Sequence, residues 1–128
     1  MISKLGWKKN KFLGHNPDEM LEGYVFTVDG KNLEFDSFQP LGWYDIDFYG
    51  LEHKTETENE CPPVACCSCG CIYCDSVRTL VEFGTDTVSW SVFHYNIDDG
   101  WGKYTFAKEQ YLQAIKSLAK AIEEERHG

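Results

Sequence analysis

Only one part of this 128-residue chain repeats its apolar positions with a helical period, and it comes last. Across residues 108–125, Tyr111, Ile115, Leu118 and Ile122 fall at i, i+4, i+7 and i+11, and Leu112 and Ala119 widen the stripe. Lys108, Lys116 and Lys120 lie off it, and no Pro or Gly interrupts the run before Gly128. A single amphipathic helix is not stable by itself in water, so its stripe must be laid on something else. The segments before it offer only strands. The expected fold is therefore α+β: an antiparallel sheet of about five or six strands, with one C-terminal amphipathic helix packed on it, in a single domain over residues 1–128.

The strand expectations rest on alternation and turn chemistry. Gly23 to Val28 is rich in β-formers and runs into Asp29-Gly30, a pair suited to a type I′ hairpin, whose two central residues both need positive φ. Asn32 to Phe35 is the expected return strand. Tyr44, Ile46 and Phe48 alternate with Asp45 and Asp47, which predicts a strand with one apolar and one acidic face and the two carboxylates about 7 Å apart. Leu51 to Pro63 reads as an exposed acidic loop. Val77–Phe83 and Val88–His94 alternate around Gly84-Thr85-Asp86 and predict a hairpin. Asn96 to Gly102 reads as a loop, and Tyr104 to Phe106 as a short strand.

Hydrophobic residues make up 42% of the chain and aromatics 15%, enough for a packed core. The net charge of −9 argues against nucleic acid as a partner, because that binding needs Lys and Arg in excess. The charge is unevenly placed. Residues 1–17 hold Lys4, Lys8, Lys9 and Lys11 and no acid, whereas residues 18–60 hold twelve acids against Lys31 and Lys54. No run of 18 apolar residues predicts a membrane span, and no apolar stretch near Met1 predicts a signal peptide, so a cytoplasmic location is expected.

All six cysteines lie between Cys61 and Cys74. In a reducing compartment such a cluster suits metal better than disulfides. Zinc takes four tetrahedral ligands, and the spacing admits a tetrad of Cys61, Cys66, Cys69 and Cys74, with Cys67 and Cys71 spare; His53 or His94 could replace one member. Reduced thiols packed as small apolar groups are the alternative. The single residue between Cys66/Cys69 and Cys71/Cys74 departs from a zinc ribbon, which separates its pairs by about 15–20 residues.

Cys66-x-x-Cys69-Gly70-x-x-x-Cys74, followed by the Val77–Phe83 strand, a turn and Asp86-Thr87-Val88-Ser89-Trp90, resembles a stretch of uncharacterised bacterial proteins. There a Cys-x-x-Cys-Gly-x-x-x-Cys-Gly segment precedes a hairpin carrying Val-x-Trp. The resemblance covers roughly 30 residues by this motif reading. Asp75 stands where those proteins have Gly, and Cys67 and Cys71 are additional. It implies a bacterial or phage source and a shared fold, and no reaction.

No nucleophile elbow, phosphate loop, dinucleotide fingerprint or zinc-protease motif occurs, so no catalytic residue is expected. A Cys–His pair using His94 as base is conceivable, but His94 also reads as the polar end of the Val88/Trp90/Val92 face. Trp43 and Tyr44 sit beside acids, and Trp101 follows Asp98-Asp99-Gly100. Aromatics among carboxylates suit a protein-binding surface, in which rings supply contact area and charge steers the encounter. The expected function is a non-catalytic acidic binding protein for a basic protein partner. Asp45, Asp47, Asp98, Asp99 and Trp101 form its contact surface. At the level of class alone it is similar to small acidic immunity proteins that neutralise toxin domains. A zinc-binding structural or regulatory module built on the cysteines is the alternative.

Overall fold

The computed structural model describes residues 2–13, 20–36, 38–67, 76–96 and 100–127. Among these described residues, eight strands form two antiparallel sheets, and the C-terminal helix packs on them. The first sheet holds β1 (Leu5–Leu13), β2 (Met20–Val28) and β3 (Lys31–Asn32), in that order. β1 and β2 pair over nine residues each, from Leu5 opposite Val28 to Leu13 opposite Met20. Asp29 and Gly30 take φ of 53° and 83°, the left-handed pair that a I′ turn requires.

The second sheet is β4 (Phe38–Gln39), β5 (Pro63–Cys67), β6 (Ser76–Phe83), β7 (Thr87–Phe93) and β8 (Gly102–Ala107), ordered as in the chain. Two isolated bridges join the sheets. Ser3 pairs parallel with Phe106 of β8, and Leu41, just beyond β4, exchanges both backbone bonds with Tyr24 of β2. The expected single sheet is thus divided in two and stitched at both sides.

α2 (Lys108–His127) begins at the residue after β8 ends, with no linker. Lys108 fastens this joint: its backbone N–H donates to Asp86 O, and its ammonium donates to the Gly84 and Thr85 carbonyls of the β6–β7 turn. The expected stripe, Tyr111, Ile115, Leu118 and Ile122, is buried against the sheets. Trp90 lies fully buried at the centre, edge-on to Phe26, Phe106 and Tyr111 at centroid separations of 5.4, 5.4 and 6.0 Å. Its indole N–H donates to the Tyr111 hydroxyl (3.1 Å), and that hydroxyl donates to Leu51 O (2.6 Å).

The predicted strand over Tyr44–Phe48 is not formed. A 3-10 turn (Trp43–Asp45) leads into the short helix α1 (Phe48–Glu52). Asp47 caps that helix, its side chain accepting from Gly50 N at 3.0 Å. The buried positions here are Ile46, Gly50 and Leu51, a helical spacing, while Tyr44 points to solvent. Asp45 and Asp47 therefore do not share a strand face. After α1, Thr55 docks the chain on β6: its N–H donates to Val81 O (3.0 Å) and its hydroxyl accepts from Val81 N (2.9 Å). Glu52, Glu56, Glu58 and Glu60 are exposed, as the acidic-loop reading expects. β1, β4 and β5 carry no strand expectation from the sequence, and the return strand after Gly30 is only two residues long.

Candidate functional site

The turn–helix segment 43–52 presents three exposed aromatic side chains within seven residues: Trp43, Tyr44 and Tyr49, at 43%, 61% and 74% exposure. The local fold explains why. With Ile46, Gly50 and Leu51 turned inward, Phe48 packed against the core and Leu51 O bonded to Tyr111, Trp43, Tyr44 and Tyr49 are left on the outer side of this short segment. Trp43 meets Tyr44 edge-on at 5.5 Å, and the Arg126 guanidinium of α2 stacks 4.2 Å above the Trp43 ring. Tyr49 stacks on His53 at 4.2 Å. Six acids and one lysine, Lys54, lie within residues 43–60. Burial raises the Asp45 carboxyl above the usual carboxylate range. The Tyr44 hydroxyl is also raised, first by burial and then by the negative charge of Asp45 and Cys66 nearby.

A second aromatic group lies at one end of the five-stranded sheet. Antiparallel order brings the start of β4, the end of β5, the start of β6, the end of β7 and the start of β8 to that end. His94 is ringed by Tyr95 (3.9 Å), Phe38 (5.0 Å) and Trp101 (5.1 Å), and Phe35 lies 5.8 Å from Trp101. Trp101, expected as a contact residue, is part of this group and 38% exposed; Tyr95 is 76% exposed. The β5–β6 connection, whose sequence carries Cys69, Cys71 and Cys74, and the β7–β8 connection, whose sequence carries Asp98 and Asp99, join strand ends at this end of the sheet. Asp98, Asp99, Cys69 and Cys74 lie outside the described residues.

Cys61 and Cys66 are both buried and reduced. The Cys61 thiol lies 3.3 Å from Thr57 O and 3.7 Å from the Thr55 hydroxyl, and burial holds its pKa above the ordinary thiol value. Cys66 belongs to the hydrophobic core cluster. The chain between them is extended through β5, which sets their Cα atoms roughly 15 Å apart. Two cysteines sharing one zinc, with bonds of about 2.3 Å, need Cα atoms within about 9 Å. The structure therefore does not bring Cys61 and Cys66 to one centre. Among the described residues, no group of three His, Cys, Asp or Glu side chains is placed to hold a metal ion.

Phe35, Phe38 and Tyr49 are members of these surfaces that the sequence reading does not single out. Tyr49 was recoverable as an aromatic inside the acidic segment; Phe35 and Phe38 meet Trp101 only through the sheet pairing. No protein-family model, curated protein or solved structure matches the chain. Among the described residues, no helix is long and apolar enough to cross a membrane.

Proposed function

We propose that this chain is a non-catalytic binding protein that engages a basic protein partner through Trp43, Tyr44 and Tyr49 and the carboxylates around them. The observation that carries this reading is the exposure of three large aromatics in one turn–helix segment, within a stretch, residues 43–60, that holds six acids. Tyr and Trp are the residue types that concentrate binding energy at interfaces, and an acidic surround speeds encounter with a basic surface. Trp101 extends the contact from the end of the five-stranded sheet. Asp47 serves the segment by capping α1 and is not itself a contact. The partner class this fits is a basic toxin domain, neutralised in the cytoplasm by an immunity protein.

The test compares the wild type with the Trp43→Ala/Tyr44→Ala/Tyr49→Ala variant, both checked for a folded circular dichroism spectrum, as baits in a lysate of the source cell. A basic protein should be retained by the wild type, released as ionic strength rises, and lost by the variant. Glu52→Gln/Glu56→Gln/Glu58→Gln should then slow association with the purified partner, because steering is screened over a Debye length of about 8 Å at physiological salt. Equal retention by wild type and aromatic variant would refute the reading.

A second reading is favoured by one pairing. Cys66 lies opposite Ser76 across β5 and β6, so the two ends of the connection whose sequence carries Cys69, Cys71 and Cys74 are held together. Structural zinc bound by cysteines of the cluster, without Cys61, is the form of the metal reading that this pairing supports.

A further inference from the structure

β1 is an edge strand whose hydrogen-bonding groups are only partly used. Two independent contacts fix which residues point outward. The Leu5 N–H donates to the Gln110 carboxamide oxygen (2.9 Å), and the Gln110 carboxamide N–H donates to Leu5 O (2.6 Å). On the far side of β2, Tyr24 gives both its backbone groups to Leu41, so Tyr24 and its partner Lys9 form a pair that does not bond to each other. Both contacts put Leu5, Trp7, Lys9 and Lys11 outward. Ser3 pairs with β8, Leu5 is met by Gln110, and the Lys11 N–H is taken by the Asn10 side chain. The outward N–H and C=O groups of Trp7 and Lys9 have no hydrogen-bond partner among the described residues.

The space beside Trp7 is open. An open hollow of about 590 Å³ lies between β1 and α2, lined by Leu5, Gly6 and Trp7 from β1 and by Gln110, Gln113 and Ser117 from α2. Gln110 already occupies the edge as a peptide unit would, one donor and one acceptor bonded to the same residue. Its carboxamide shows that an amide fits the edge.

We propose that the β1 edge, from Trp7 to Lys11, takes an extended acidic peptide as an added strand. The free groups of Trp7 and Lys9 span three residues, about 10 Å of partner chain. Main-chain bonds at Trp7 and Lys9 would give affinity, as in other strand-addition modes. Charge selects the occupant. Lys8, Lys9 and Lys11 border the edge, with Lys116 and Lys120 exposed on α2, against Glu125, which pairs with Lys9, and Glu22, opposite Lys11. A second copy pairing edge to edge would set these lysines against one another, which is destabilising and is a device that keeps strand edges from self-association. This proposal is independent of the acidic face described above.

The probe is a fluorescein-labelled hexapeptide of alternating Glu and Val. It is compared with its form carrying N-methyl groups on every internal amide and with the corresponding Lys/Val peptide. Anisotropy should show saturable binding of the Glu/Val peptide, weakened about tenfold or more by N-methylation or by Lys8→Glu/Lys11→Glu in the protein. Hydrogen exchange followed by NMR should slow at the Trp7 and Lys9 amides on binding and stay unchanged at Lys8, whose groups face β2. Absence of binding, equal binding of the N-methylated or Lys/Val peptide, or no new protection at Trp7 and Lys9 would overturn the proposal. So would concentration-dependent dimerisation that protects these two amides without peptide.

Discussion

Replacing Tyr111 by Phe removes one oxygen from the centre of the molecule and leaves two buried polar groups stranded. The hydroxyl accepts from the Trp90 indole N–H and donates to Leu51 O, and Tyr111, Trp90 and Leu51 are all 0% exposed. Each buried group left unpaired costs about 1–3 kcal/mol, and the ring packing against Phe106 and Phe83 is retained, so the expected loss is about 2–6 kcal/mol. For a chain of this size that lowers Tm by roughly 7–22 °C. Urea unfolding monitored by tryptophan fluorescence gives the free energy directly, and an unchanged m-value would show that the cooperative unit is intact. Replacing Trp90 by Phe as well should cost less than the sum of the two single changes, because the indole N–H is no longer orphaned. Burial also raises the Tyr111 pKa well above its ordinary value. With the folded pKa above the unfolded one, the neutral hydroxyl's stabilisation is complete below pH 10 and declines as pH rises beyond it, a dependence that Tyr111→Phe should abolish. A loss below about 0.5 kcal/mol would refute the reasoning, since no buried pair could then have been left unsatisfied.

Asp47→Ala should destabilise by about 1 kcal/mol through loss of the α1 cap. Asp45→Asn should instead hold or raise the Tm at neutral pH, because Asp45 has its carboxyl pKa raised by burial, and the difference should shrink as pH falls through the carboxylate range; a loss with Asp45→Asn larger than with Asp47→Ala would contradict both assignments. Cys61→Ser should leave zinc stoichiometry in the reduced protein unchanged from wild type, measured by elemental analysis after zinc loading, whereas a drop in bound metal would place Cys61 in the coordination shell.

The sequence spells out those elements whose local chemistry and tertiary role agree. The Asp29-Gly30 turn, the β6–β7 hairpin and the stripe of α2 each follow from a period or a turn pair that nothing elsewhere opposes. β1 is hidden because Lys8, Lys9 and Lys11 interrupt any apolar alternation; it is a strand because β2 pairs with it along its full length. β5 is hidden by Pro63 and its cysteines, although Pro is tolerated at a strand's first residue. The opposite error arises at Tyr44–Phe48, where alternation mimics a strand. One local fact and two tertiary ones decide against it there: the Asp47 cap, the buried Leu51 and the bond that Leu51 O accepts from Tyr111, sixty positions along the chain. The exposed aromatics are visible in composition, but Trp101 meets Phe35 and Phe38 across more than sixty positions of chain, which no local pattern encodes.

The absence of a linker between Ala107 and Lys108 makes the angular setting of α2 a property of the sheet. Each residue of an α-helix advances about 100°, so one residue inserted at this joint would turn every later side chain by that angle. Tyr111 would swing away from Trp90, and a polar position would enter the core in its place. Two residues would be worse, while an insertion of a full turn, three or four residues, would nearly restore the facing but slide the helix about 5 Å along its axis. The chain therefore tolerates length changes in its loops far better than at this joint, where strand and helix act as a keyed shaft.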